Sequence, residues 1–430
     1  MKNKNDNNLV YDVHETPPLG KWIILSLQHV FAMFGATILV PIIVNGAVGE
    51  ELIPISVALA AAGIGTLIYL ACSKGKVPVF QGSSFAFITP VIAGFAIGGA
   101  AGVYSGIATA GLVYVVVAVL IKFFGKGWID KVFPPIVIGP MVMIIGIGLA
   151  PVAIDMIGIS GGDLEWKGLL VAFVTFGAVT VTSIYAKGFF KVVPILTGIL
   201  IGYILAICLG MVEFQPVLDA NWFGWPRFQI IFKDWSFETA ALLTIVPAAI
   251  VTICEHIGDH TTMGGILNRN LLKDPGLDNT LLGDGLATTV SGLLGGPAST
   301  TYGENQAVVG LTRVASIKVI MLAALFAIGF GFFSKISAVM STVPVQVLGG
   351  ASMILFGFIA VVGLKLLIKN QVDFDKTRNL IVSASVLVLG LGGAVLAISS
   401  GNFSLSIGGM ALAAVFGIIL NLCLPVGKEN

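Results

Sequence analysis

Long apolar stretches alternate with short polar ones almost from end to end of the chain. A bilayer-crossing helix needs about 20 apolar residues, and roughly fourteen stretches qualify. The first seven lie near 22–44, 53–72, 78–98, 102–123, 132–151, 168–185 and 190–211. The second seven lie near 238–258, 281–295, 298–311, 315–334, 343–363, 378–398 and 405–424. The longest polar intervals, 212–237 and 259–280, are too short for a separate soluble domain. Residues 1–21 are polar, contain Asp12, Glu15, Pro17 and Pro18, and lack the apolar core of a signal peptide; they read as a cytoplasmic tail.

Basic residues orient these segments, because Lys and Arg favour cytoplasmic loops. With a cytoplasmic N-terminus, alternate loops hold Lys74 and Lys76, then Lys122, Lys126 and Lys131, then Lys187 and Lys191. Arg269 and Lys273, Arg313 and Lys318, and Lys365, Lys369, Lys376 and Arg378 follow on the same side, with Lys428 in the tail. The opposite loops hold only Lys167, Arg227, Lys233 and Lys335. An even number of spans with both termini inside is therefore expected.

Two sets of seven segments imply inverted copies, since an odd number per copy reverses its orientation. Secondary transporters often use inverted repeats with substrate held at interrupted helices near the midplane. The third and tenth segments are both interrupted. One reads Gln81-Gly82-Ser83-Ser84-Phe85-Ala86-Phe87 before Thr89-Pro90. The other runs Gly295-Gly296-Pro297-Ala298-Ser299-Thr300-Thr301-Tyr302-Gly303-Glu304-Asn305. Gly, Pro and hydroxyl residues are poor helix formers. Extended backbone at membrane depth is tolerated only where protein buries it or a cavity adjoins it. Free N–H groups there, and on the helix starts that follow, suit the carbonyl oxygens of a polar ligand. Ordinary glycine-rich packing helices are the alternative.

Composition agrees with a membrane solvent: 57% of residues are hydrophobic and only 10% charged, against about 25% charged in soluble domains. A net charge of +1 gives no basic excess for a nucleic-acid partner. Cys72, Cys208, Cys254 and Cys423 lie in apolar stretches without paired spacing, which supports neither a disulfide framework nor a zinc site.

Ionisable groups within apolar segments are costly and usually functional. The eighth segment ends with Glu255, His256, Asp259 and His260, where Glu255 and Asp259 share one helix face and the two histidines another. Glu304 sits in the broken tenth segment. A carboxylate accepts a ring N–H and, once protonated, also donates to a carbonyl. Burial raises a carboxyl pKa, so Glu255 or Glu304 suits proton loading. Asp259 either orients a proton carrier or faces water. Histidines four apart can share a metal ion, but no third ligand is present, so neither metal nor cofactor is expected. His260, near Arg269, reads as a cytoplasmic-rim residue, and His29 as a satisfied buried histidine. Phe85 and Tyr302, equivalent in the two broken segments, and Phe356 suit stacking on a planar ligand. Gly146 and Gly148 lack the strand–helix context of a phosphate loop. No nucleophile–base pair or metal cluster suggests an enzyme.

These residues resemble the nucleobase–ascorbate transporter (nucleobase:cation symporter-2) family, and within it the bacterial uracil permeases, over nearly the whole chain. The resemblance rests on Ser26-Leu27-Gln28-His29-Val30-Phe31-Ala32-Met33-Phe34-Gly35-Ala36-Thr37, Gly82-Ser83-Ser84-Phe85-Ala86-Phe87, Glu255-His256-Ile257-Gly258, and Thr300-Thr301-Tyr302-Gly303-Glu304-Asn305 followed by Thr312-Arg313. It implies an all-α membrane protein of fourteen transmembrane segments in two inverted seven-segment repeats, with short antiparallel strands in segments 3 and 10. It implies a core domain at 22–124 and 238–335 and a gate domain at 132–211 and 343–424. It further implies proton-coupled uracil uptake by alternating access, with uracil held mid-membrane between segments 3, 8 and 10. By motif match Glu255 and Glu304 would bind the ring, Phe85 and Gly303 would add backbone contacts, and Ala36, Tyr302 and Phe356 would line the pocket. Glu255, Glu304, Asp259 and His256 are the proton-coupling candidates. A homodimer in the cell membrane is expected.

Three departures bear on this reading. Asp259 stands where some uracil permeases carry a proton-relay histidine, with His260 beside it. Ala307 stands where the family often has Gly, and Phe356 where related permeases often have Tyr. Xanthine, another purine or an anion remains an alternative cargo for the same architecture. A channel, the rival of another class, would need a continuous polar pore.

Overall fold

The computed structural model describes residues 9–161, 165–229, 238–400 and 403–425. Lys233, Lys428 and residues 1–8 of the predicted tail lie outside the described residues. Helix α1 (Leu19–Val48) and α2 (Ile55–Cys72) lead to strand β1 (Gln81–Ser83), a single 3-10 turn at Phe85–Phe87, and α3 (Ile88–Phe124). Next come α4 (Gly127–Val132), α5 (Pro135–Gly148), α6 (Ala150–Ile157), α7 (Trp166–Tyr185), α8 (Phe189–Val192), α9 (Pro194–Cys208) and α10 (Gln215–Asp219). The second half holds α11 (Thr239–Ile245), α12 (Ala248–Leu267), α13 (Leu277–Leu293), strand β2 (Ser299–Thr301), α14 (Gly303–Thr312), α15 (Ile317–Phe332) and α16 (Ser334–Ser341). It ends with α17 (Val345–Lys369), α18 (Thr377–Leu391), strands β3 (Val395–Ser400) and β4 (Phe403–Gly408), and α19 (Gly409–Cys423).

The chain is a mostly helical membrane fold. Among the described residues seven helices are long and apolar enough to cross a membrane, or eight if the 75° bent pair α15–α16 is one span. Fewer helices than segments reach that length for identifiable reasons. The predicted segments 78–98 and 102–123 share α3, which breaks between them at Gly99 with φ 58° and ψ −160°, a conformation glycine adopts readily. Strands take the first part of the third and tenth segments.

Three boundaries differ from the sequence reading. Helix α12 runs on to Leu267, so Asp259 and His260 lie inside it rather than at its end. His260 is fully buried, which corrects its predicted place on the cytoplasmic rim. The segments predicted at 378–398 and 405–424 lose their facing ends to an antiparallel hairpin, Val395 opposite Gly408 through Ser400 opposite Phe403. Gly392-Gly393 stops α18, Gly393 turning with φ 70°, and Phe403-Ser404-Leu405-Ser406-Ile407 alternates with the two-residue period of a strand.

The N-terminal segment is a packed element from Leu9 onward. Val10 N–H donates to the Arg313 carbonyl (2.8 Å), Ala315 N–H to Tyr11 O (2.9 Å) and Ile317 N–H to Val13 O (2.9 Å). Asp12 accepts two bonds from the Arg269 guanidinium at 2.7 and 2.9 Å.

Helix α13 packs along α2 and α3, and α15 lies along α1 and α2. Elsewhere α17 packs on α5, α6, α7 and α9, while α18 and α19 lie together against α5. Helix α12 touches members of both groups, α3 and α13 on one side and α5 and α19 on the other.

Candidate functional site

The two interrupted segments meet as a pair of antiparallel strands, with Gln81 opposite Thr301, Gly82 opposite Thr300 and Ser83 opposite Ser299. Ser84 N–H to Ala298 O (2.8 Å) and Tyr302 N–H to Phe80 O (3.0 Å) extend the ladder at its ends. Pro78 and Gly295-Gly296-Pro297 keep the approaches out of helix, and the β-branched Thr300 and Thr301 favour extended backbone. A two-stranded sheet buried in a membrane has two edges to satisfy. Neighbouring hydroxyls do so. Thr66 Oγ1 accepts from Gln81 N–H (2.9 Å), Tyr302 OH donates to Ser83 O (3.1 Å), and Thr288 Oγ1 donates to Ser299 O (3.1 Å).

Helix α12 touches β2, α14 and the 3-10 turn. Its Glu255 and Asp259 are half-buried, while His256 between them is fully buried. The strand holds both carboxylates: Thr300 Oγ1 donates to Glu255 Oε2 at 3.4 Å, and Thr301 Oγ1 to Asp259 Oδ2 at 2.6 Å. Helix α14 begins at Gly303 directly after β2, so the first N–H groups of α14 have no intrahelical acceptor. Glu304 lies in that first turn, where a carboxylate is favoured. Gly303 is exposed, and no atom lies within 4 Å of where its Cβ would be. Glu255, Asp259 and Glu304 are close enough for their charges to act on one another. The site can therefore offer backbone donors, carboxylate acceptors and an open approach at position 303.

Aromatic candidates surround this centre. The Phe85 and Phe356 rings meet edge to face, 5.7 Å apart at 77°. Both are buried, as is Ala36 on α1. Tyr302 is buried against Gly82, and its hydroxyl also meets Thr37 Oγ1 at 3.2 Å. Its ring fills the strand's own packing and its hydroxyl is engaged. His29 is buried and faces Asn305, whose Nδ2 lies 3.1 Å from His29 Nδ1 and donates to His29 O at 3.0 Å, tying α1 to α14.

Against the strands lies a buried polar cluster centred on Asp284, a residue that motif reading passed over. Asp284 of α13 is fully buried. It accepts from Gln81 Nε2 and, at 2.7 Å, from His256 Nδ1. His256 Nε2 lies 3.0 Å from Thr280 Oγ1. His260 stacks on His256 with centroids 3.8 Å apart and uses both nitrogens, toward His256 O at 2.7 Å and the Tyr69 hydroxyl. The two histidines are thus committed to hydrogen bonds rather than to a shared ion. The only sequence signal for Asp284 was a lone carboxylate in a largely apolar segment.

Similarity to solved structures bears on the fold. The transmembrane domain of the cyanobacterial bicarbonate transporter BicA matches with a TM-score of 0.62 at 14% identity, covering 94% of this chain and 97% of that one. Murine Slc26a9, an anion transporter in the inward-facing state, matches with a TM-score of 0.67 at 10% identity, covering 95% and 68%. At these identities the likeness is one of fold: a helical membrane domain with two broken segments paired as strands. The model of the permease family Xan_ur_permease matches residues 20–398. The chain is 47% identical over 423 residues to the uracil permease of Bacillus caldolyticus, covering 97% of this chain and 95% of that protein. It is 40% identical over 413 residues to the uracil permease of Escherichia coli K12, covering 95% and 92%. The chain belongs to the nucleobase:cation symporter-2 permease family, whose members transport rather than catalyse.

Proposed function

We propose that the protein imports uracil by proton symport, with the base held between the strand pair, α12 and the start of α14. The observation that carries this reading is that Glu255, held by Thr300 of β2, lies close enough to Glu304 for their charges to interact, with Glu304 next to the exposed Gly303 in the first turn of α14. A pyrimidine-2,4-dione presents two N–H donors and two carbonyl acceptors on one flat ring. Two carboxyl groups and free helix N-terminal amides complement that pattern. The names of the relatives support uracil as the cargo.

A proton joins Glu255 or Glu304 as uracil binds, and deprotonation on the cytoplasmic side promotes release. Asp259, fixed by Thr301, and His256 are the further coupling candidates. Phe85 and Gly303 offer backbone contacts, while Ala36, Tyr302 and Phe356 shape the walls. Fourteen segments in two inverted repeats form a core domain at 22–124 and 238–335 and a gate domain at 132–211 and 343–424. The separate packing of α13 and α15 with α1–α3, and of α17 with α5–α7 and α9, supports that division. The core rocks against the gate to expose the site to either side. The protein acts as a homodimer in the cell membrane, with both termini cytoplasmic.

Radiolabelled uracil uptake into proteoliposomes with an imposed pH gradient, in the presence of competing bases, tests this reading. Accumulation above equilibrium that collapses with the gradient is expected. Uptake that never exceeds equilibrium points to a channel. Displacement of uracil by xanthine or an anion at lower concentration than by unlabelled uracil points to another cargo.

A further inference from the structure

The Asp284 cluster is distinct from the carboxylates assigned to the ligand, and its hydrogen bonds join three elements. Thr280 has one hydroxyl hydrogen, which points to the Leu277 carbonyl at 3.2 Å. Its oxygen is then an acceptor for His256 Nε2. His256 Nδ1 faces Asp284 Oδ2, which can only accept when ionised. With Asp284 ionised, both histidine nitrogens act as donors. Gln81 Nε2 donates to the other carboxylate oxygen, Oδ1. His260 is satisfied as the neutral ring, with Nδ1–H to His256 O and Nε2 accepting from Tyr69. These proton positions are assigned from the hydrogen-bond network.

We infer that His256 and Asp284 form a buried imidazolium–carboxylate pair that positions β1 against α12 through Gln81, and so sets the spacing of the uracil site. Both side chains of the pair are fully buried. Its three anchors belong to three elements distant in sequence: Gln81 on β1, His256 on α12 and Asp284 on α13. The first two carry the site. Gln81 is two residues from Ser83 in the strand, and His256 is flanked by Glu255. Other titratable groups facing the pair are Glu255, Asp259 and His260 from α12, with Tyr69 from α2 and Tyr114 from α3. None of these is a cation in the assigned network, so His256 is the counter-charge of Asp284. In this inference His256 serves the site as a positioning residue, which leaves Asp259 as the further coupling candidate.

An ion pair of this kind has a characteristic mutational signature. Removing one member leaves the other buried without its counter-charge, and removing both is less harmful than removing one. The test is a double-mutant cycle on the purified full-length protein with Asp284→Asn, His256→Gln and the double variant. Ligand-free thermal unfolding in detergent reads the pair itself. Asp284→Asn is expected to unfold at lower temperature than the double variant. A double variant that is less stable by the sum of the single losses would overturn the pair.

Positioning is read separately with Gln81→Met, which cuts the strand from Asp284 without isolating a charge. Its uracil dissociation constant is expected to rise about tenfold, with a smaller loss of unfolding temperature than Asp284→Asn causes, because His256 still pairs with the carboxylate. Wild-type affinity in Gln81→Met would overturn the positioning role. The binding arm rests on the uracil reading above. Wild-type protein that binds no uracil would sink that reading, while the ligand-free cycle still decides the pair.

Discussion

Tyr302 lies across Gly82 so closely that a methyl group at position 82 would sit 2.2 Å from Cε2 and Cζ of the ring. The ring is held in place by its hydroxyl, which bonds Ser83 O and Thr37, and by burial to 2% exposure. Each broken segment thus supplies one half of the contact that keeps the strands together. Gly82→Ala is expected to lose folded protein or reduce uracil uptake by at least about tenfold, because neither backbone nor ring can yield. Tyr302→Phe keeps the ring and loses two hydrogen bonds, so its defect should be milder. Size-exclusion profiles and initial uptake rates compare the two.

Glu255 of α12 and Glu304 of α14 lie close enough for their charges to interact, and each is proposed both to bind the ligand and to load a proton. Glu255→Gln and Glu304→Gln should each reduce gradient-driven uracil accumulation by at least about tenfold, since an amide cannot cycle a proton. Normal proton-dependent accumulation in both variants would defeat the roles proposed for them. Uptake against an imposed pH gradient in proteoliposomes measures this.

Thr300 and Thr301 hold adjacent carboxylates with unequal geometry, 3.4 Å to Glu255 and 2.6 Å to Asp259. Thr301→Val removes the shorter bond to a carboxylate, of a kind worth about 1.5–3 kcal/mol, and should slow transport roughly tenfold or more. Thr300→Val should have the smaller effect. Equal defects in the initial rates of the two variants would show that the distances do not rank the two contacts.

Phe356 of α17 meets Phe85 edge to face at the side of the site. Phe356→Ala removes that wall, and the KM for uracil is expected to rise about three- to tenfold, with a smaller change in maximal rate. Phe356→Tyr keeps the ring and should stay within about threefold of wild type. Concentration-dependent uptake separates the two parameters.

At the N-terminal segment, Asp12 and Arg269 form a bidentate pair with side chains 41% and 35% exposed. Half-exposed pairs contribute about 0–1 kcal/mol. Asp12→Asn should therefore lower the unfolding temperature by only a few degrees, and the difference should shrink in high salt. Deleting residues 9–15 also removes the backbone bonds to Arg313, Ala315 and Ile317 and should cost more. Thermal unfolding at two salt concentrations compares the variants.

How much of this was legible in the chain differs from residue to residue. The two interrupted stretches, with their Gly, Pro and hydroxyl residues, stood out because such residues disfavour helix wherever they occur. Glu255 and Glu304 stood out because charge is rare in apolar segments. The second strand of the hairpin, 403–408, was written in a two-residue alternation, but the surrounding hydrophobicity suited a helix equally well and masked it. His260 was misplaced because the polar residues after it look like a loop, whereas α12 continues through them to Leu267.

The sequence by itself determined the solvent, the broken segments and the acidic residues beside them, since each follows from local composition and spacing. Only the tertiary structure decided which buried polar groups became partners. Gln81, His256 and Asp284 are brought together from β1, α12 and α13. No local pattern selects them, because a buried donor is satisfied by whichever acceptor the packing of the helices carries to within hydrogen-bonding distance.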